Sequence, residues 1–184
     1  KYRDESKVMQ VAGYMYPVPD LGTEALFMPF TSTWGWATWQ RAWNQYDAQA
    51  EGWGALENNE DMRRSFNVGD AIDYSAMLKN QMSGKIDSWG ILWNWSVFKA
   101  SGVVLYPPYS LVTNIGFDGT GTHGWRSAKF AYQPIEIEEH SFGLPDSINV
   151  YSENMEKVMP VLGRVKQNIF MKLFLVLKDS LSVR

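Results

Sequence analysis

A chain of 184 residues, 45% hydrophobic and 20% charged, is long enough for one domain with a buried core, and its composition excludes an intrinsically disordered or fibrous protein. Lys plus Arg number 17 against 20 Asp plus Glu, so the net charge of −3 leaves no basic excess for a nucleic-acid backbone, and no nucleic-acid partner is expected. The absence of cysteine excludes disulfides, thiolate metal sites and thiol nucleophiles together.

Val8 to Tyr14, an apolar run closed by Gly13 and the Pro17 and Pro19 pair, predicts a strand entering a loop. Leu26 to Thr33 predicts a second strand. Beyond the N-cap residues Ser32 and Thr33, Trp36, Trp39, Trp43 and Tyr46 fall at i, i+3, i+7 and i+10. That spacing predicts a helix with an aromatic stripe packed mainly in the core. Residues 51–66 read as short helical pieces broken by Gly52, Gly54 and the pair Asn58 and Asn59. Asp70 is placed to cap a helix running to about Ser83, with Asp73 as its third-position acid.

A further helix is expected from Asp87 or Ser88, with Trp89, Leu92, Trp93, Ser96, Val97 and Ala100 on one face until Gly102 ends it. Val103 to Tyr106 predicts a strand, Pro107 and Pro108 break it, and Ser110 to Asn114 resumes an extended path into a glycine-rich loop over 116–123. The alternation of Ile135 and Ile137 with Glu136 and Glu138 predicts a half-buried or edge strand. From Ser152 onward the pattern is helical, with an interruption near Pro160. The organisation expected is a main unit over 1–150 and a helical extension over 151–184. The weakly amphipathic tail, 166–181, could serve packing, oligomerisation or a membrane surface, packing being favoured. No stretch approaches the roughly 18 consecutive apolar residues of a membrane span.

Nine Trp, nine Tyr and nine Phe make aromatic side chains the unusual part of the composition. Large amphipathic rings serve cores and interfaces, and they also underlie sugar rings, whose axial C–H faces pack on an aromatic plane while their hydroxyls hydrogen-bond around it. His123 and His140 are the only histidines, so a multi-histidine metal site is excluded and any metal would need carboxylates. No G-x-S-x-G elbow, no P-loop and no G-x-G-x-x-G after a strand is present.

Two segments carry a family resemblance. Thr33 to Trp43, reading TWGWATWQRAW, is similar to the S-W-G-W-A-T-W-x-R-x-W of bacterial family 2 glycosyltransferases. Pro108 to His123 is similar to their P-x-x-x-L-V-x-N-I-G-F-x-x-x-x-T-H stretch, with an Asp/Trp-bearing helix between the two segments. Lys1 to Val8 also resembles the Y-x-D-D-x-x-V that follows the donor-binding half in these enzymes, and Asp87 to Trp89 resembles, more distantly, the D-x-W of N-acetylglucosaminyltransferase I. The resemblance, spanning about residues 1 to 145, is to the C-terminal half of a GT-A-type glycosyltransferase.

It implies a partial GT-A-like α/β fold with a short mixed sheet, several helices and a C-terminal helical tail. It implies inverting transfer of a hexosyl or N-acetylhexosaminyl group from a nucleotide-sugar donor to a glycan or lipid-linked acceptor, in cell-surface polysaccharide synthesis. The family's nucleotide-binding strands and its D-x-D or E-D-D motif lie upstream of the position matching Lys1. The resemblance therefore implies a partner half in the same polypeptide, a divalent cation (Mn or Mg) in the complete enzyme, and little donor binding or activity for this segment alone. The place implied is the cytoplasm, including the inner face of the membrane.

The residue roles follow from the same resemblance. An inverting transfer needs a carboxylate to accept the acceptor hydroxyl's proton, and Asp87 stands where the family's carboxylate would lie, with a plain N-cap as its other reading. Asp73 is the second choice and a first-turn acid otherwise. Trp34, Trp36 and Trp89 are candidate sugar platforms, and Asn114 is a matched substrate-binding position. Gly119, Thr120, Gly121, Thr122 and His123 form a loop that would close over the diphosphate, with His123 the one candidate metal ligand. The competing expectation is a non-catalytic carbohydrate-binding or protein-interaction domain, for which the aromatic density alone suffices.

Overall fold

A computed structural model describes residues 1–113 and 141–163. The described chain is mixed α/β. Its strands are β1 (Val8–Ala12), β2 (Leu26–Met28), β3 (Trp36–Thr38) and β4 (Val103–Tyr106). Its helices are α1 (Gln40–Trp43), α2 (Ala55–Asn58), α3 (Glu60–Phe66), α4 (Tyr74–Met82) and α5 (Trp89–Lys99), and residues 152–163 are also helical.

The strands form one four-stranded sheet in the order β2-β4-β1-β3. The two central strands are parallel and both edges are antiparallel to their neighbours. One face carries Met9, Ala12, Met28, Val104 and Tyr106 against Trp93 and Val97 of α5 and Val158, Val161 and Leu162 of the 152–163 helix. On the other face Val8, Phe27 and Leu105 pack with Tyr2 and Ala25, and Phe142 and Ile148 lie against them. A third cluster joins Leu56, Phe66 and Leu78 to Ile91, Leu92 and Trp95. Residues Ile91 to Val97 are thus all buried, because α5 packs on the sheet with one side and on α2 to α4 with the other.

The expected strands at Val8 and Leu26 form but end early. Gly13 leaves the ladder to donate to the Gly35 carbonyl, and Pro29, with no N–H, follows Met28. The expected helix over the aromatic stripe does not form as one element. Trp36 to Thr38 pair with Ala12 to Gln10 as an antiparallel edge strand, the Thr38 hydroxyl donates to the Met9 carbonyl at 2.6 Å, and only one helical turn follows. The exposed backbone edge of β1 outweighs a local 3.6-residue periodicity. Trp39 turns to the opposite side, against the Val8 and Leu105 cluster and the Arg41 guanidinium. Arg41 donates to the carbonyls of Tyr2, Arg3 and Val8 and ties the N-terminal segment to the sheet edge.

Asp70 does not cap a helix: it sits at φ 66°, and Asp73 is the N-cap of α4, accepting from the Ala76 N–H at 3.1 Å. Helix α5 starts at Ser88, one of the two expected positions. It ends in a Schellman motif: the Ser101 N–H donates to Phe98, the Gly102 N–H donates to Val97, and Ser101, at φ 52°, takes the left-handed position. Pro160 does not interrupt the 152–163 helix; Pro160 and Glu156, whose carbonyl lacks its i+4 donor, are both exposed, so water can serve that carbonyl. Residues 111–112 bend rather than extend, with the Leu111 N–H donating to the Gly13 carbonyl.

Gly102 is fixed by packing. A Cβ there would lie 2.4 Å from the Met9 sulfur and 3.2 Å from Val97. Gly102→Ala is therefore expected to lower stability by about 1–3 kcal/mol, as overpacking does, read as a fall in the urea midpoint at unchanged slope. A neutral result would show that the Met9 side chain moves aside without cost.

Candidate functional site

The segment 31–38 is held by buried side-chain hydrogen bonds. Asn94 of α5 accepts from both the backbone N–H and the hydroxyl of Thr31, at 2.9 and 3.1 Å. Gln10 of β1 donates to the Ser32 carbonyl and accepts the Trp93 indole N–H at 2.7 Å. Gly35 then turns the chain at φ 56°; a Cβ there would meet Val112 at 2.7 Å, so two independent constraints require glycine. This turn sends Trp34 and Trp36 into different surroundings although one residue separates them.

Trp36 stacks on Trp89 with ring centres 5.6 Å apart and an interplanar angle of 30°. Trp43 lies nearly parallel to Tyr46, at 4.8 Å and 9°. Both Trp36 and Trp43 rest on fully buried Trp93, at 6.2 and 5.1 Å. With Thr38 the outer four rings line an open groove of about 490 Å³. Trp89 is 47% and Trp43 39% exposed, so this is apolar surface facing water on a rigid aromatic floor. Single exposed rings need no explanation, but stacked rings around a concave surface fit the C–H face of a flat ligand.

Asp87 stands beside this groove, exposed, two residues before Trp89. The Gln81 side chain of α4 accepts the Ser88 N–H and fixes the segment entering α5. Burial and, second to it, the Asp87 carboxylate raise the pKa of the Tyr46 hydroxyl, which places a negative charge near a groove-lining ring. Ser88 is the N-cap, so Asp87 is free of the capping role that was its other reading.

A second pocket, of about 190 Å³, opens on the other side of the same turn and is lined by Ser88 and Gly90 where the groove has Trp89. Its polar lining also includes Thr31, Ser32, Thr33 and Asn94, and Tyr16 and Tyr74 stand in its wall. Burial pushes both tyrosine hydroxyls well above their ordinary pKa, as it does Tyr106, whose hydroxyl donates to the Phe30 carbonyl at 3.1 Å. The sign follows directly: above about pH 10 the unfolded chain loses protons that the native chain retains, so stability is constant below that pH and falls above it. Urea midpoints should hold from pH 8 to 9.5 and drop by pH 11; a midpoint unchanged at pH 11 would mean that these hydroxyls ionise in place.

The structure therefore brings together Trp36, Trp89 and Asp87, and separates Trp34. That ring packs edge-on against Tyr14 at 4.7 Å and lines the second pocket, so it belongs to no common platform with Trp36 and Trp89. Asn114 and the loop Gly119, Thr120, Gly121, Thr122 and His123 lie outside the described residues, as do the expected strand near 135 and the tail beyond 163. Trp43 and Tyr46, assigned to the core by their spacing, both line the groove, Tyr46 while also packed against two core clusters and Trp43 while exposed; Ser32 and Asn94 carried no local signal of a pocket. Among the described residues no group of His, Asp and Glu could hold a metal ion, and no helix is long and apolar enough to cross a membrane. Comparison with family models, with curated proteins and with solved structures finds no match.

Proposed function

We propose that the chain is the acceptor-facing part of a GT-A-like, nucleotide-sugar-dependent inverting glycosyltransferase acting in cell-surface polysaccharide or lipid-linked glycan assembly. The observation that carries this reading is the open aromatic groove of Trp36, Trp43, Tyr46 and Trp89, with the exposed carboxylate-bearing Asp87 two residues before Trp89. An acceptor sugar stacked on Trp36 or Trp89 would present its rim hydroxyls to that carboxylate. As the acceptor oxygen attacks the anomeric carbon, Asp87 takes its proton; the new C–O bond forms while the bond to the diphosphate breaks, and the nucleoside diphosphate leaves with the electron pair. A divalent cation, Mn or Mg, would offset charge on that leaving group. The described residues offer no cluster that fits one, and Asp87 acts here through its own basicity.

The setting proposed is the cytoplasm, at the inner face of the membrane for a lipid-linked acceptor. The test is a transfer assay on the polypeptide carrying both donor and acceptor halves, with nucleotide sugars, Mn or Mg, and neutral oligosaccharide acceptors, reading nucleoside diphosphate release. Release that depends on acceptor supports the reading. A second reading, a non-catalytic carbohydrate-binding domain, is favoured by the exposure of Trp43 and Trp89, since stacking needs no base. Acceptor binding to the groove without acceptor-dependent release would select it.

A further inference from the structure

We propose that the aromatic groove selects its acceptor by charge and binds best an amino sugar whose free amine is protonated, ahead of the neutral ring of the same shape and of the corresponding uronate. The inference deepens the proposed function and rests on it for the ligand being a sugar.

The groove is not one flat platform. Trp36 with Trp89 and Trp43 with Tyr46 form two stacked pairs, while the planes of Trp43 and Trp89 are inclined at 71° with ring centres 6.5 Å apart. A neutral pyranose needs only a single plane for its C–H face. Two exposed rings inclined in this way also give a compact cation room to come within about 6 Å of both centres, the distance over which the negative ring faces attract it. With the pyranose on one plane, an ammonium substituent reaches the other. Because the groove is open, that ammonium keeps part of its hydration, and the desolvation cost of a fully buried charge does not arise.

The charge around the groove points the same way. Among the described residues its lining includes no Lys, Arg or His, and the Asp87 carboxylate is felt at the Tyr46 hydroxyl. Cations on the helices that carry Trp43 and Trp89 are engaged elsewhere: Arg41 donates to the carbonyls of Tyr2, Arg3 and Val8, and Lys99 pairs with Asp47 at 3.1 Å. Lys85, two residues before Asp87, is exposed and outside the lining. An ammonium therefore meets ring faces and a carboxylate, whereas a uronate meets the same negative groups without a countercharge.

The experiment titrates the chain with the methyl glycosides of glucosamine, glucose and glucuronic acid at about pH 6.5, where an ordinary amine is protonated. Tetramethylammonium chloride, compared with sodium chloride at equal ionic strength, supplies the charge without the sugar. The indole NMR signals of Trp36, Trp43 and Trp89 report the groove. The glucosamine glycoside is expected to bind about 2- to 30-fold more tightly than the glucose glycoside, the span of cation–π attraction from an exposed to a desolvated site, and the glucuronate to bind most weakly. Tetramethylammonium should shift the same indoles saturably. Asp87→Asn should cut the glucosamine preference about 2- to 5-fold and leave the affinity of the neutral glycoside unchanged. Trp89→Leu, at an exposed position, should remove most of that preference with the fold intact.

Equal binding of the glucosamine and glucose glycosides overturns the proposal, as does tighter binding of the glucuronate or a tetramethylammonium response no larger than that to sodium. Equal binding leaves the glycosyltransferase reading standing with a neutral acceptor. Saturation by tetramethylammonium with no response to any glycoside also overturns it, and removes the sugar from the groove. A clear glucosamine preference in a polypeptide that shows no acceptor-dependent release keeps the charge selection and removes the transferase.

Discussion

Asp87→Asn is expected to lower the rate of glycosyl transfer by roughly 10²–10⁴, the usual contribution of a positioned acid or base, with acceptor binding and fold nearly intact. The structure makes this substitution cleaner than the sequence implies, because Ser88 rather than Asp87 occupies the N-cap position of α5 and no helix-end hydrogen bond is lost. Asp73 supplies the control. Its carboxylate accepts from the Ala76 N–H and the Ser75 hydroxyl, both at 3.1 Å, so its role is the start of α4. Asp73→Asn retains an N-cap and should leave turnover within about twofold, with at most about 1 kcal/mol lost in stability. Rates are to be measured at saturating acceptor. Near-normal turnover in Asp87→Asn would remove the base assignment, and loss of turnover in Asp73→Asn would transfer it.

Trp93→Ala is expected to cost about 3–5 kcal/mol and to disorder the groove together with the core. The ring is fully buried, forms the floor under Trp36 and Trp43, and donates its indole N–H to Gln10. Trp93→Phe separates the two contributions. It retains most of the aromatic contact but leaves the Gln10 side-chain oxygen, on a residue with 0% exposure, without its donor. That variant should lose about 1–3 kcal/mol from the unpaired acceptor, besides the smaller volume change. Urea unfolding of both variants, with sugar binding to the groove measured in parallel, reads the result. If the phenylalanine variant were as stable as wild type, the Gln10 bond would carry no net stability.

What was legible in the sequence were the segments whose own boundaries define them. β4 is an apolar run stopped by two prolines, and α5 is a long apolar helix between a serine cap and Gly102; neither depends on distant chain. The aromatic stripe misled because Trp36, Trp43 and Tyr46 do converge, but from an edge strand and a turn beyond it rather than along one helix. Pairing between Ala12 and Trp36 across the intervening loop has no signature in a local window. The groove was half visible: Trp36, Trp89 and Asp87 were candidate site residues, Trp36 also as part of the stripe placed mainly in the core, whereas Trp43 and Tyr46 had only the stripe reading. Trp34 lines the second pocket rather than the groove because a glycine at positive φ turns the chain between it and Trp36. The second pocket was invisible, since it depends on Asn94 reaching Thr31 from 63 residues away.

The parallel pairing of the two central strands has a consequence for biosynthesis. Val8 is matched to Val103, so β1 leaves the ribosome 95 residues before its neighbour. At about 5–20 residues per second that is a delay of about 5–20 s, during which β3 is the only strand partner β1 has. Met9, which ends fully enclosed, has neither α5 nor β4 to cover it in that interval. Among the described residues β2 has no strand neighbour other than β4, and it waits as well. The sheet therefore closes late, when β4 inserts between β1 and β2, so a nascent chain halted before residue 103 presents unpaired strand edges that favour aggregation or capture by a chaperone.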